Sequence, residues 1–316
     1  IGLRLHPAGG AANDAAVEDA FNTGAILRTH VLRPTWHFVA PEDIRRLLAL
    51  TAPRVHKLNI PYYRKTGLDD DLARRVPQVF TGALQGGVYR TREDLRAALE
   101  ADGIPAADNL RMAYMLMRAE LDGLLCSGPR LGKQFSYALL EERVPPAPVL
   151  APEEALAELA RRFFQSHGPA TVQDFARWAS LTLGEARSGL SAICADLESD
   201  EIDAHTYWFA PVPPAAPQEP FAYLLSIYDE YVIGYGEWNA VTAADDMARL
   251  RTLGNDLTAV LILNGHIAGT WKRKVGKREM AVTVQPFRPL AAAERQAVAA
   301  AAERYGGFFG LPVTWG

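Results

Sequence analysis

The side chains in this chain that could do chemistry are mostly cations. The stretch GTWKRKVGKREM sets Trp271 ahead of Lys272, Arg273 and Lys274, with Lys277 and Arg278 behind them and one acid, Glu279. A second set, Arg54, Lys57, Arg64 and Lys65, is spread over three turns of an expected helix. Guanidinium and ammonium groups gathered in this way hold phosphates, because they displace counterions condensed on a polyanion. The same pattern also suits a solvated face. A different kind of candidate is His37, set among bulky apolar neighbours in TWHFV. It either takes part in a site or is half-buried and hydrogen-bonded to backbone.

Several enzyme signatures are missing. The chain has no HExxH, GxSxG, CxxC, P-loop or GxGxxG, and its seven histidines form no pair at metal-ligand spacing. This argues against a metalloenzyme or a nucleotide-driven motor, and no metal or cofactor is expected. Cys126 and Cys194 are far apart in apolar contexts and read as buried small hydrophobes of a reducing compartment. A net charge of −4 argues against a surface coated in positive charge, so a polyanion would meet local patches. No apolar run approaches the roughly 18–20 residues of a membrane span.

Positioning such side chains takes more than one module, and 316 residues suffice for two to four. The clearest begins near residue 70. DDLARRVPQVFTGALQGG has helical periodicity and stops at Gly86-Gly87, and the short strand VYR follows. TREDLRAALEADG opens with a capping box, Thr91 to Asp94. ADNLRMAYMLMRAELDGLL is a longer helix with Leu110, Ala113, Tyr114, Met117 and Leu121 expected on one buried stripe. LLCSG and QFSYALL then read as strands joined by the turn PRLGK, which carries Arg130 and Lys133.

Helix, short strand, two helices and a two-stranded wing is the order of a winged helix. The order recurs at 153–209, where Thr171 and Asp174 repeat the box and EIDAH and TYWFA supply the strands. Near the start, AILRTHV and TWHFV read as the wing of another copy, bearing Arg28 and Arg33. Alternation along TWHFV puts Trp36 and Phe38 in the core and His37 on the open side. The first two helices of this copy are expected upstream of Ile1. Proline-rich stretches at 144–154 and 210–220 read as linkers. Beyond them lies a different unit. FAYLLSIYDEYVIGYG gives strand-like runs, Asn264-Gly265 turns a hairpin, EMAVTVQPF adds a strand, and a terminal helix packs back.

The expected fold class is therefore α+β, with tandem winged helices and a C-terminal β-rich unit. The expected domains are residues 1–66, 67–148, 149–212 and 213–316. Tandem winged helices point to nucleic acid, although a protein-binding scaffold is also open. The helix around Arg111 and Arg118 is too apolar for sequence readout, so the hairpin cations favour recognition of backbone and shape.

In this order, RTHVLRPTWHFV, GVYRTREDL, ELDGLLCSGPRLGKQFSYAL, RFFQSHGPATVQDFARWASL, YDEYVIGY and GTWKRK resemble the winged-helix DNA glycosylase family. That family includes a member that unhooks interstrand crosslinks. The resemblance spans nearly the whole chain. It implies hydrolysis of the N-glycosidic bond of an alkylated purine in duplex DNA, by a monomer in the cytoplasm at the nucleoid. The non-catalytic alternative is a regulatory DNA-binding protein. The family's catalytic Gln-x-Gln or Gln-x-Asp lies ahead of the segment matching IGLRL, and no Gln precedes Gln78 here. The catalytic pair is therefore expected upstream of Ile1, with His37 as an auxiliary candidate. DNA contact is expected from Arg28, Arg33, Arg130, Lys133, Trp271, Lys272, Arg273 and Lys274. Trp271 either probes a minor groove or is packed beneath exposed charges. The carboxylates of YDEY (228–231) either orient an arginine or face the DNA. The family continues after Gly-Tyr with an Asp-Arg pair, whereas this chain reads GYGEWNAV.

Overall fold

The computed structural model describes residues 2–4, 13–146, 150–211, 220–236, 241–242, 246, 249 and 259–316. Helices and sheets are segregated in an α+β arrangement. The chain divides into two compact units, one of Glu18–Ala210 and one that pairs Ile1–Val17 with Pro211–Gly316. The expected boundaries at 148/149 and 212/213, and most of the second proline-rich linker, lie outside the described residues.

Helix α1 (Asp14–Thr23) is capped by the Asn13 side chain, which accepts from Ala16 N at 2.8 Å. Strands β1 (Leu27–His30) and β2 (Trp36–Val39) pair antiparallel from Leu27↔Val39 to His30↔Trp36. Helix α2 (Pro41–Lys65) starts with proline at its first turn, where the missing N–H costs nothing, and continues through Pro53 and Pro61.

The next module runs α3 (Asp70–Leu84), β3 (Arg90–Thr91), α4 (Arg92–Ala101), α5 (Asn109–Leu121), β4 (Leu125–Ser127) and β5 (Ser136–Leu139), with sheet order β3-β5-β4. Asp69, Thr91 and Asp108 cap its three helices, and the Thr91–Asp94 box is reciprocal. Phe80, Leu84, Leu95, Leu99, Met112 and Met115 close its core. The stripe expected on α5 needs correction. Leu110 is 41% exposed, whereas Met112, Met115, Leu116 and Ala119 are buried. Helix α5 also packs on α2 and β1, so it is covered on more than one side and a single amphipathic stripe misplaces its burial.

After the single turn α6 (Leu140–Arg143), three helices follow: α7 (Pro152–His167), α8 (Val172–Trp178) and α9 (Leu183–Ser191). They pack around Phe163, Phe164 and Phe175. The Thr171–Asp174 box is present, and a further box, Thr182–Glu185, starts α9. Strands β6 (Glu198–Ile202) and β7 (His205–Phe209) form the hairpin that closes this unit.

The second unit holds a five-stranded sheet in the order β12-β11-β10-β9-β8. Its strands are β8 (Ala222–Leu225), β9 (Val260–Leu263), β10 (His266–Val275), β11 (Met280–Pro286) and β12 (Val313–Trp315). Asn264 and Gly265 both have positive φ, as a type I′ hairpin turn requires. A Cβ at Gly269 would sit 2.5 Å from the Gln285 carbonyl, so only glycine lets β10 pass β11 at the bulge. Helix α11 (Ala292–Phe309) buries Val298, Ala301 and Ala302 against this sheet.

One expectation fails in this unit, and one strand was not foreseen. YDEYVIG is not strand: Asp229 caps a short helix, α10 (Glu230–Ile233), because its carboxylate accepts from Tyr231 N. Beyond the hairpin and third strand foreseen, β12 adds to β11 in parallel, which local alternation cannot reveal.

Candidate nucleic-acid interface

The first hairpin decides where its polar side chains go. Cross-strand partners share a face, so Arg28 lies with Phe38 and His30 with Trp36, while Thr29 lies with His37. The alternation is as expected, but the covered face is not. Trp36 is 47% and Phe38 48% exposed, and His37 is half-buried, which corrects the placement of the two aromatics in the core. The reason is that the ring-bearing face packs on side chains of the hairpin itself and its neighbour, leaving each ring one open side.

Those partners are Arg28 and His30. The Arg28 guanidinium carbon lies 4.6 Å from the Trp36 ring centroid and 3.7 Å from that of Phe135. Arg28 is only 9% exposed, and burial holds its pKa below the ordinary arginine value. Its Nε is buried without a hydrogen-bond partner. Arg28 therefore does not project from a wing, contrary to expectation. It lies between rings. The Arg130 guanidinium also sits over Phe135, at 4.6 Å, and donates to the Lys133 carbonyl at 2.7 Å. The backbones of the two hairpins are joined beneath, where Arg28 N donates to Ser127 Oγ at 2.8 Å. Cations assigned to separate hairpins thus converge on one ring, with Lys133 exposed beside them. Phe135, which ties them together, was missed by the sequence reading, because no local pattern marks a half-buried ring in a turn.

His37 is engaged within its own hairpin. Nδ1 lies 3.0 Å from the Thr35 carbonyl and Nε2 lies 3.1 Å from Arg33 Nη2. A neutral ring that donates from Nδ1 and accepts at Nε2 satisfies both contacts. The pairing orients Arg33, which is half-buried. A further titratable pair lies deeper. His30 Nδ1 meets Glu120 Oε2, both side chains being buried, and His30 lies 4.8 Å from Trp36. Glu120 Oε1 has no hydrogen-bond partner among the described residues. Glu120, an acid inside the largely apolar run MLMRAELDGLL, was the available signal for this pair, and it was overlooked.

In the other unit Trp271 is 4% exposed, and its Nε1 donates to the Leu225 carbonyl at 2.8 Å. It is a core residue, which corrects its assignment to DNA contact. Arg273, on the same strand face, lies over Tyr305 and Phe309 at 5.4 and 5.3 Å. Lys272 and Lys274 are exposed on the opposite face. Asp229 of YDEY takes two hydrogen bonds from Arg4, at 2.9 and 2.6 Å, so this carboxylate orients an arginine. The loop after Gly-Tyr lies outside the described residues. Arg54, Lys57, Arg64 and Lys65 are exposed on α2, where Tyr62 stacks on Tyr114 at 5.1 Å.

Among the described residues no His, Cys, Asp and Glu gather at metal-binding distance, and no helix is long and apolar enough to cross a membrane. Cys126 is buried, with its thiol pushed up to about 12, whereas Cys194 is exposed at the end of the third module, which corrects its expected burial.

Fold and site together define an α+β protein of helix-and-hairpin modules whose cations cluster on aromatic rings. Sequence comparison identifies the class more closely. A family model described as DNA glycosylase AlkZ-like matches residues 4–308, and the chain belongs to that family. The interstrand DNA cross-link repair glycosylase of Streptomyces sahachiroi is 25% identical over 309 residues, covering 92% of this chain and 81% of the relative. The solved structure of the Streptomyces sahachiroi DNA glycosylase AlkZ matches with a TM-score of 0.73 at 20% identity. The match covers 97% of this chain and 86% of that one, and it bears on the fold.

Proposed function

We propose that this chain belongs to a monofunctional glycosylase that hydrolyses the N-glycosidic bond of alkylated purines in duplex DNA. Membership of the DNA glycosylase family is the observation that carries this reading. The modules at 1–66, 67–148 and 149–212 are read as winged helices, with 213–316 as the β-rich unit, acting as a monomer at the nucleoid. The name of the Streptomyces relative adds interstrand crosslinks to the lesions to be tried.

An alkylated purine already carries positive charge and leaves readily. The protein's task is then to expose the nucleotide, place a water and stabilise an oxocarbenium-like sugar. Arg33, Arg130, Lys133, Lys272 and Lys274 are the side chains read as holding phosphates, which position the duplex without reading its sequence. Placement of the water falls to the Gln-x-Gln or Gln-x-Asp pair that the family resemblance implies, and no residue between 1 and 316 is assigned to it.

The test is release of N7-alkylguanine from a labelled duplex, by residues 1–316 and by the full gene product. Base release by the full gene product only is the expected result. Release by residues 1–316 alone would overturn the assignment of catalysis. Salt-dependent duplex binding without release by either form would favour the regulatory alternative.

A further inference from the structure

The face of the first hairpin combines two features that a merely structural strand does not need. Trp36 and Phe38 stand two residues apart on one side, each about half exposed. Beneath them Arg28, nine-tenths buried, has a guanidinium held by the rings of Trp36 and Phe135. Among the described residues its Nε has no hydrogen-bond partner, and no carboxylate forms an ion pair with it. The acid nearest in kind, Glu120, is taken by His30. On the rim Arg130 has one acid within reach, Glu18 at 3.8 Å, and Lys133 is exposed. The patch is thus aromatic at its surface, with cations beneath it and on its rim.

We infer that Trp36, Phe38 and Arg28 form a subsite for one unstacked nucleotide of the DNA, next to the position of the removed base. The aromatic face takes the base by stacking, the buried guanidinium supports the Trp36 ring from below, and Arg130 and Lys133 on the rim meet the adjoining phosphate. A base offers a π-face to Trp36 whatever its identity, so the subsite reads unstacking and ignores sequence. A protein-binding patch of the same apolar area would not call for cations both beneath it and on its rim. The inference rests on the glycosylase reading, since it supposes a duplex opened at a lesion.

The test uses the whole chain and two duplexes of equal length. One is intact, and the other carries a tetrahydrofuran abasic analogue beside a 2-aminopurine. Binding is read by fluorescence anisotropy and stacking by 2-aminopurine quenching. Trp36→Ala is expected to weaken binding to the abasic duplex about tenfold or more and to abolish the quenching, with intact-duplex affinity within about twofold of the parent. Trp36→Phe keeps a stacking ring and should retain most of both signals, which guards against a folding artefact. Arg28→Lys should weaken the abasic complex while leaving quenching in the bound state. Equal losses on both duplexes, or none, with Trp36→Ala would overturn the subsite. Absence of duplex binding by the unaltered chain would instead sink the glycosylase reading and the subsite with it.

Discussion

His30 of the first hairpin and Glu120 of α5 form a buried pair, capped on one side by Trp36. The second carboxylate oxygen has no hydrogen-bond partner among the described residues. A pair of this kind contributes little net stability while intact, because its desolvation cost offsets the attraction, but losing one member leaves a charge stranded. His30→Ala should therefore lower stability by about 3–5 kcal/mol. His30→Leu combined with Glu120→Leu should cost much less. Urea unfolding of the three proteins checks the order, and an equal loss in single and double variants would contradict it.

Trp271 and its basic neighbours should separate cleanly. Trp271→Ala removes a buried ring and its hydrogen bond to the Leu225 carbonyl, at a cost of about 3–5 kcal/mol. Lys272→Ala and Lys274→Ala touch exposed side chains and should leave thermal stability within about 0.5 kcal/mol. If the two lysines meet phosphates, each substitution lowers the slope of log affinity against log salt by about 0.9. Titration of a duplex at several salt concentrations measures it, and an unchanged slope would remove the lysines from the interface.

The cysteines offer a quick check on the packing of β4. Burial pushes the Cys126 thiol up to about 12, so almost no thiolate is present at neutral pH, whereas Cys194 is exposed. A thiol reagent at pH 8 should label Cys194 alone in the native protein and both after denaturation. Rapid native labelling of both would contradict the packing of β4.

Acid should act on the C-terminal unit through Glu294. Hydrogen bonds from Arg288 and from Ala291 N hold its carboxyl down to about 2, against an ordinary 4.5. A folded-state value below the unfolded one contributes stability that is present above about 4.5 and lost as pH falls towards 2. Arg288→Ala should raise the Glu294 midpoint in an NMR titration and move the acid loss of stability to higher pH. An unmoved midpoint would show that the Arg288 contact does not persist in solution.

The local devices were legible in the sequence because their physics is local. Thr91 and Asp94, Thr171 and Asp174, and the Asn264-Gly265 turn each satisfy backbone groups within a few residues, so spacing alone identifies them. Thr182 and Glu185 obey the same rule, and their box was there to be read. The strand alternation that separates His37 from Trp36 and Phe38 was also local.

Which side of that strand is covered was not. It depends on Phe135, Arg130 and Glu120, contributed by distant stretches of chain, and burial is a property of what packs from outside the strand. The same holds for Trp271, drawn into the core by α11 and the Leu225 carbonyl, and for β12, whose parallel pairing closes over a whole helix. Sequence alone determined the modules and their cationic hairpins. Tertiary packing decided which cations are sealed between rings and which remain free to meet a phosphate, because solvent access is set by neighbours that no local pattern encodes.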